Sequence, residues 1–241
     1  MKTILVTGAS QGIGAATARA FWAAGWHVGL LARRAEPMEK LAQGQAATVL
    51  PADVTDPEAV QQAVDKLVGE SGRLDVLFNN AGMFGPSGSI DTVDLASWRQ
   101  VLDVNVNGMF VCAQAAFKQM RKQSPQGGRI INNGSLSAHV PREGSICYTT
   151  TKHAITGLTR TLSLDGRPYD IACGQIDIGN ARTEMVMDLQ ARRKADGLEP
   201  LPSMDVDHAA GSVLHMAELP PEANVQFLTV MATKMPFIGR G

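Results

Sequence analysis

The sequence predicts an α/β fold: a single domain built on a doubly wound parallel sheet of about seven strands, flanked by helices. Three observations carry that prediction. First, seven short apolar-rich runs occur at 2–8, 26–32, 47–54, 74–82, 129–135, 170–178 and 225–232. Several, such as KTILVTG and LDVLFNNAG, are nearly continuous, as strands buried on both faces of a parallel sheet require. Second, longer amphipathic stretches separate them, and strand–helix alternation implies βαβ crossovers. Third, no Pro/Gly-rich linker, composition shift or internal repeat divides the 241 residues, so one unit spans 1–241.

The helices follow from local signals. Residues 13–24 form a helix that ends before Gly25, a C′ glycine. Residues 56–69 open with Asp56-Pro57-Glu58: an N-cap, a proline at N1 and a first-turn acid. Residues 94–122 hold two helices and 146–165 one. The stretch 184–206, EMVMDLQARRKADGLEPLPSMDV, reads as charged and irregular before a last helix. It is expected to be a surface excursion or a substrate-side lid.

Composition excludes several classes of function. The chain is 44% hydrophobic with 24 glycines, which is globular rather than disordered or fibrous. A net charge of −1 provides no broad field for nucleic acid or a membrane surface. Lysine and arginine are scattered, with short clusters such as Arg33-Arg34 and Arg192-Arg193-Lys194. Cys112, Cys147 and Cys173 are an odd number without CxxC or Cys/His ligand spacing, and the five histidines are dispersed. A reduced protein without disulfides or a metal site is expected. The N-terminal apolar run is too short for a signal peptide and no run is long enough to span a bilayer, so a cytoplasmic location is expected.

The segment TGASQGIG, Thr7 to Gly14, directly follows the first strand and opens the first helix. Glycines at 8, 12 and 14 allow a tight turn and close backbone approach, and the helix N-terminus behind them suits a pyrophosphate. That placement marks a dinucleotide site. At the end of the second strand such a site carries an acid for a ribose 2′-hydroxyl or an arginine for a 2′-phosphate. Here Arg33 and Arg34 appear, with no acid before Glu36. Forked guanidinium bonds suit phosphate, so NADP(H) is favoured, with NAD(H) as the alternative.

YTTTK, residues 148–152, sets a phenol and an ammonium one helical turn apart across three β-branched residues, which are mediocre helix formers. Residues i and i+4 share a helix face, so Tyr148 and Lys152 can enter one cleft. A lone phenol titrates near ~10, and an adjacent ammonium favours the phenolate and moves it toward the working range.

TGASQGIG, NNAG (79–82) and YTTTK, in this order and spacing, resemble the short-chain dehydrogenase/reductase family over nearly the whole chain. The resemblance implies a Rossmann-type fold and hydride transfer between the nicotinamide and a carbonyl or secondary alcohol. It implies four catalytic positions: Asn105 in the helix kink, Ser135 polarising the substrate oxygen, Tyr148 as proton donor and Lys152 beside it. Ser137 is a helper or a loop residue, and Asn107 is structural. Gly8, Ser10, Gly12, Ile13 and Gly14 would contact the dinucleotide, Arg33 its 2′-phosphate, and Asp53 and Val54 the adenine. Asn80 and Ala81 would line the adenosine ribose. Tyr148 and Lys152 would hold the nicotinamide ribose, with Gly179 and Thr183 near the carboxamide or phosphates. The partners implied are a small carbonyl or alcohol substrate and a second copy, as homodimer or homotetramer, packed through helices around the fifth strand, including 108–117.

The chain departs from the family pattern in places. Gln11 stands where NADP-preferring members often carry a basic residue. Ile178 replaces the usual proline, which implies a looser turn, and the C-terminus lacks the common Gly-Gly segment. Substrate walls are expected from Met83-Phe84, 137–147 and 180–190, with Met185 and Met187 as apolar candidates and Cys147 packing the pocket. Arg142 and Glu143 would meet a polar substrate or solvent. A dinucleotide sensor or scaffold without catalysis is the alternative of another class, although all four catalytic positions are present. Epimerases and dehydratases sharing YxxxK carry a TGxxGxxG loop and a longer C-terminal domain, which this chain lacks.

Overall fold

All five residues of β1 (Thr3–Thr7) are buried, as a central strand requires. In the computed structural model, which describes residues 1–195 and 197–238 apart from the side chains of Met185, Leu189 and Arg192, β1 pairs in parallel with β2 (His27–Ala32) and β4 (Val76–Asn79). β3 (Ala47–Pro51), β5 (Gly128–Asn133), β6 (Ile171–Ile178) and β7 (Phe227–Val230) complete one parallel sheet in the order β3-β2-β1-β4-β5-β6-β7. The expected doubly wound sheet is observed, with all seven strands where the apolar runs lie.

Alternate residues of β1 feed two core layers, because successive side chains of a strand point to opposite faces. Ile4 and Val6 join Phe21, Trp26, Met38, Val213 and Met216 on one side. Leu5 joins Val64, Leu67, Cys112 and Met120 on the other. The first layer is covered by α1 (Gly12–Ala23) and α8 (Val206–Glu218), the second by α3 (Pro57–Ser71) and α5 (Gly108–Lys122). Each fully buried Leu, Phe or Met contributes roughly 1.5–3 kcal/mol.

The local signals work as expected. The Asp56 side chain accepts from the N–H groups of Glu58 and Ala59, with Pro57 at N1, and α3 stops at Gly72 with φ +87°. Gly25, at φ +79°, terminates the turn after α1. Residues 94–122 hold α4 (Leu95–Leu102) and α5, joined by a π-helical turn, Asp103–Asn107. Between β2 and β3 lies a further short helix, α2 (Ala35–Ala42). The long helix α6 (Ile146–Gly166) carries YTTTK.

One expectation is corrected. The stretch 184–206 is not irregular throughout, because α7 (Glu184–Ala195) occupies its first half. Its charged sequence has no continuous apolar stripe, so the period that betrays a packed helix is missing.

The strand order reverses between β1 and β4, since β2 and β3 lie to one side and β5 to β7 to the other. Crevices at such switch points, beyond the carboxyl ends of the strands, are where open α/β sheets bind ligands. TGASQGIG leaves β1 there and NNAG leaves β4.

Candidate active site

The glycine loop is held open by its backbone. Gly8 and Gly12 have φ of +66° and +55°, a region that side-chain-bearing residues rarely adopt. A Cβ on Gly14 would collide with the carbonyl of Gly8. Thr7 stitches the loop to the neighbouring strand end: its Oγ1 accepts from the N–H groups of Asn80 at 2.8 Å and Ala81 at 2.9 Å. Asn80 Nδ2 donates back to the Thr7 carbonyl at 2.8 Å. A Cβ on Gly12 would lie 3.3 Å from Thr183 Cγ2, so Thr183 sits against the loop. The cradle, bare of Cβ atoms at the N-terminus of α1, fits a dinucleotide pyrophosphate.

The loop forms one end of a cavity of about 440 Å³, within the size range of small-ligand sites. Its walls bring together nearly every residue expected at the site. Gly8, Ser10, Gly12, Ile13, Arg33, Asp53, Val54, Asn80, Ala81, Ser135, Tyr148, Lys152, Gly179 and Thr183 all line it. Gly14 and Asn105 lie behind the walls. Arg33 and Arg34 are exposed at the rim, and Arg34 reaches Gln11 at 3.4 Å. Glu36 is engaged by Lys40 at 2.7 Å.

Tyr148 packs against Phe84, ring centroids 4.7 Å apart, and Lys152 Nζ lies 5.4 Å from the tyrosine ring centroid. Nζ donates to the carbonyl of Asn133 at 2.6 Å. Burial lowers the Lys152 pKa from 10.5 to about 8, against the pull of the Asp177 charge. Burial also raises the Tyr148 pKa, while the Ser135 hydroxyl and the Arg142 charge pull it back. The Lys152 ammonium is directed at a main-chain oxygen, and desolvation is the largest influence on the proton affinity of both groups.

Two of the three threonines of YTTTK make side-chain hydrogen bonds, and the third, Thr150, is exposed. Thr149 Oγ1 hydrogen-bonds Ser145 Oγ at 2.8 Å at the start of α6. Thr151 Oγ1 donates to the Tyr148 carbonyl at 2.8 Å and accepts from Asn105 Nδ2 at 3.0 Å. Asn105, fully buried in the π turn, also exchanges hydrogen bonds with both backbone groups of Met83 at 2.8 Å. Asn107 is exposed and bonds Asp103, as a structural residue would.

The turn after β6 is not loose despite Ile178. Gly179 N donates to the Val230 carbonyl at 2.8 Å, and Asn180 is tied to Met204 and Pro202. Strand pairing with β7 replaces the stiffness that proline would supply. Phe84 lines the cavity, whereas Met187 is largely exposed, and the Met185 side chain lies outside the described residues. Cys147 is buried under the site.

Several cleft residues escaped the sequence reading. Met235, Pro236 and Phe237 line the cavity from the C-terminal segment, whose only signal was its departure from the usual Gly-Gly ending. Asn133 joins Lys152 to Asn80, accepting from Nζ through its carbonyl and donating through Nδ2 to Asn80 Oδ1 at 2.8 Å. Asp177, on β6, left no signal beyond being an acid in an apolar run. Among the described residues no helix is long and apolar enough to cross a membrane.

Comparison with known proteins agrees with this geometry. The short chain dehydrogenase family model matches residues 2–194. Sulfoacetaldehyde reductase 2 of Chromohalobacter salexigens is 33% identical over 241 residues, covering 96% of this chain and 94% of the relative. A short chain dehydrogenase of Burkholderia cenocepacia, solved in complex with NADP, is 34% identical with a TM-score of 0.80, covering 95% and 96% of the two chains. The 3-ketoacyl-(acyl-carrier-protein) reductase of Brucella melitensis, complexed with NADH, shares the fold with a TM-score of 0.86 at 23% identity, covering 95% and 96%. On its motifs, its sheet and the family match, the chain belongs to the short-chain dehydrogenase/reductase family of nicotinamide-dinucleotide oxidoreductases.

Proposed function

We propose that the protein is an NADP(H)-dependent oxidoreductase that interconverts a small carbonyl compound and its secondary alcohol through Asn105, Ser135, Tyr148 and Lys152. The observation that carries this reading is the convergence of Ser135, Tyr148 and Lys152 on the cavity whose other end is the glycine cradle. When bound, the nicotinamide supplies hydride to the carbonyl carbon or takes it from the alcohol. Ser135 donates a hydrogen bond to the substrate oxygen where negative charge develops. Tyr148 donates its phenolic proton to that oxygen, or accepts it in reverse. Lys152 holds a positive charge beside both and binds ribose hydroxyls. Asn105 fixes the Met83 backbone and, through Thr151, the first turn of YTTTK.

Arg33 and Arg34, which line the cavity, support NADP(H). The name of the Chromohalobacter relative supports the reducing direction. Glu184 and Val186 of α7 line the cavity, which supports a covering role for 184–206. Phe110 on α5 and Leu164 on α6 are half exposed, which supports pairing of two copies through these helices. Three buried free cysteines suit a reducing cytoplasm.

The test is a fluorescence titration with NADPH and with NADH on the parent and on Arg33→Ala. Preference for NADPH that falls in the variant supports the reading, and preference for NADH overturns the cofactor assignment. Tyr148→Phe should abolish turnover in a panel of aldehydes, ketones and keto acids while NADPH still binds. Retained turnover would overturn the catalytic assignment.

A further inference from the structure

Asp177 is a buried carboxylate that the proposed reaction leaves without a role. It has no exposed surface, and an unpaired charge in that position is strongly disfavoured. Its oxygens are fully engaged. Oδ1 accepts from the Ser135 N–H at 2.9 Å and from Gln175 Nε2 at 2.7 Å. Oδ2 lies 2.7 Å from His139 Nε2. Space is reserved for it, because a Cβ on Gly134 would collide with Oδ1. His139 in turn meets Phe237 edge-on, ring centroids 6.1 Å apart, and Phe237 lines the cleft.

We propose, resting on the function above, that Asp177 is a positioning residue of the reaction. It fixes Ser135 through its backbone N–H, ties that serine through His139 to the C-terminal wall of the cleft, and places a fixed negative charge behind Tyr148 and Lys152. The titratable groups facing it are His139 from the turn after β5, and Tyr148 and Lys152 from α6. Arg142, on the loop before α6, acts on the same phenol. The flanking strands place Gly134 and Thr229 beside it, which are neutral. Its charge favours the Lys152 ammonium and opposes ionisation of Tyr148. Both effects are smaller than desolvation, and the carboxylate's hold on the Ser135 N–H and on His139 is what places it in the site.

Asp177→Asn separates charge from shape: the amide oxygen can accept from Ser135 and Gln175, and the amide N–H can donate to His139. The chain has two tyrosines, so ultraviolet phenolate titration in a Tyr169→Phe background reads Tyr148 alone and needs no substrate. The expected result is a Tyr148 midpoint at lower pH in Asp177→Asn than in Asp177 protein. NADPH affinity should be unchanged, and kcat for p-nitrobenzaldehyde should fall on the order of tenfold to a hundredfold. An unmoved midpoint, or an unmoved kcat, overturns the proposal. If Asp177→Asn does not fold, His139→Ala is measured: a raised KM for the aldehyde supports the coupling, and unchanged KM and kcat overturn it. Tyr148→Phe run alongside distinguishes the failures. Activity in that variant defeats the catalytic assignment, whereas an inactive Tyr148→Phe beside a parent-like Asp177→Asn defeats this proposal alone.

Discussion

Lys152 Nζ donates to the main-chain oxygen of Asn133 at 2.6 Å. The bond is the first step of a path from the Lys152 ammonium to the glycine loop: Asn133 bonds Asn80, and Asn80 bonds Thr7 beside Gly8. The two halves of the cleft are therefore one polar network.

Buried as it is, Lys152 has a folded pKa of about 8 against an ordinary 10.5, a difference worth roughly 3 kcal/mol. The unfolded chain binds more protons between those values, so this group makes stability rise with pH from about 8 toward 10.5. Urea midpoints measured across that window should climb in the parent, and the climb should be smaller in Lys152→Met. Identical curves would show that Lys152 is not the group titrating. Reduction should also weaken as pH rises through about 8, where the ammonium is lost.

Thr7→Val keeps volume but leaves the N–H groups of Asn80 and Ala81 without their acceptor. An orphaned buried donor costs about 1–3 kcal/mol, and these two are only partly buried, so the variant should lose about 1–3 kcal/mol in all in denaturant unfolding and bind NADPH more weakly. An unchanged midpoint would mean that other acceptors replace the hydroxyl.

Gly14→Ala would push a methyl group into the Gly8 carbonyl. The loop must open to admit it, so dinucleotide affinity should fall at least tenfold, read by NADPH fluorescence, with a smaller effect on far-ultraviolet circular dichroism. Parent-like affinity would show that the loop yields without disturbing the cradle.

Cys112 and Cys173 are pushed up to about 12 by burial, and Cys147 is equally enclosed. Thiolate is the reactive form, so the native protein should resist an aromatic disulfide reagent and release three equivalents only when denatured. Fast labelling of a native cysteine would identify a site that opens to solvent.

Much of this was legible in the sequence because it rests on local rules. Apolar runs located all seven strands, Asp56-Pro57 and Gly25 marked helix ends, and the glycine spacing with YTTTK placed the ends of the cleft. Other features had no local signal. The α7 helix lacks an apolar stripe, and Met235 and Phe237 reach the cleft from the far end of the chain.

By itself the sequence determined the parallel sheet, its switch point and the residue types at the cleft, since periodicity, capping and backbone freedom act over a few residues. Only the tertiary structure decided which polar groups of the cleft face one another. Asp177 meets Ser135 and His139, 42 and 38 residues away, and Lys152 donates to the carbonyl of Asn133. Proton affinities in the cleft follow from those distances and from desolvation, which depend on packing among distant segments and are invisible to any local pattern.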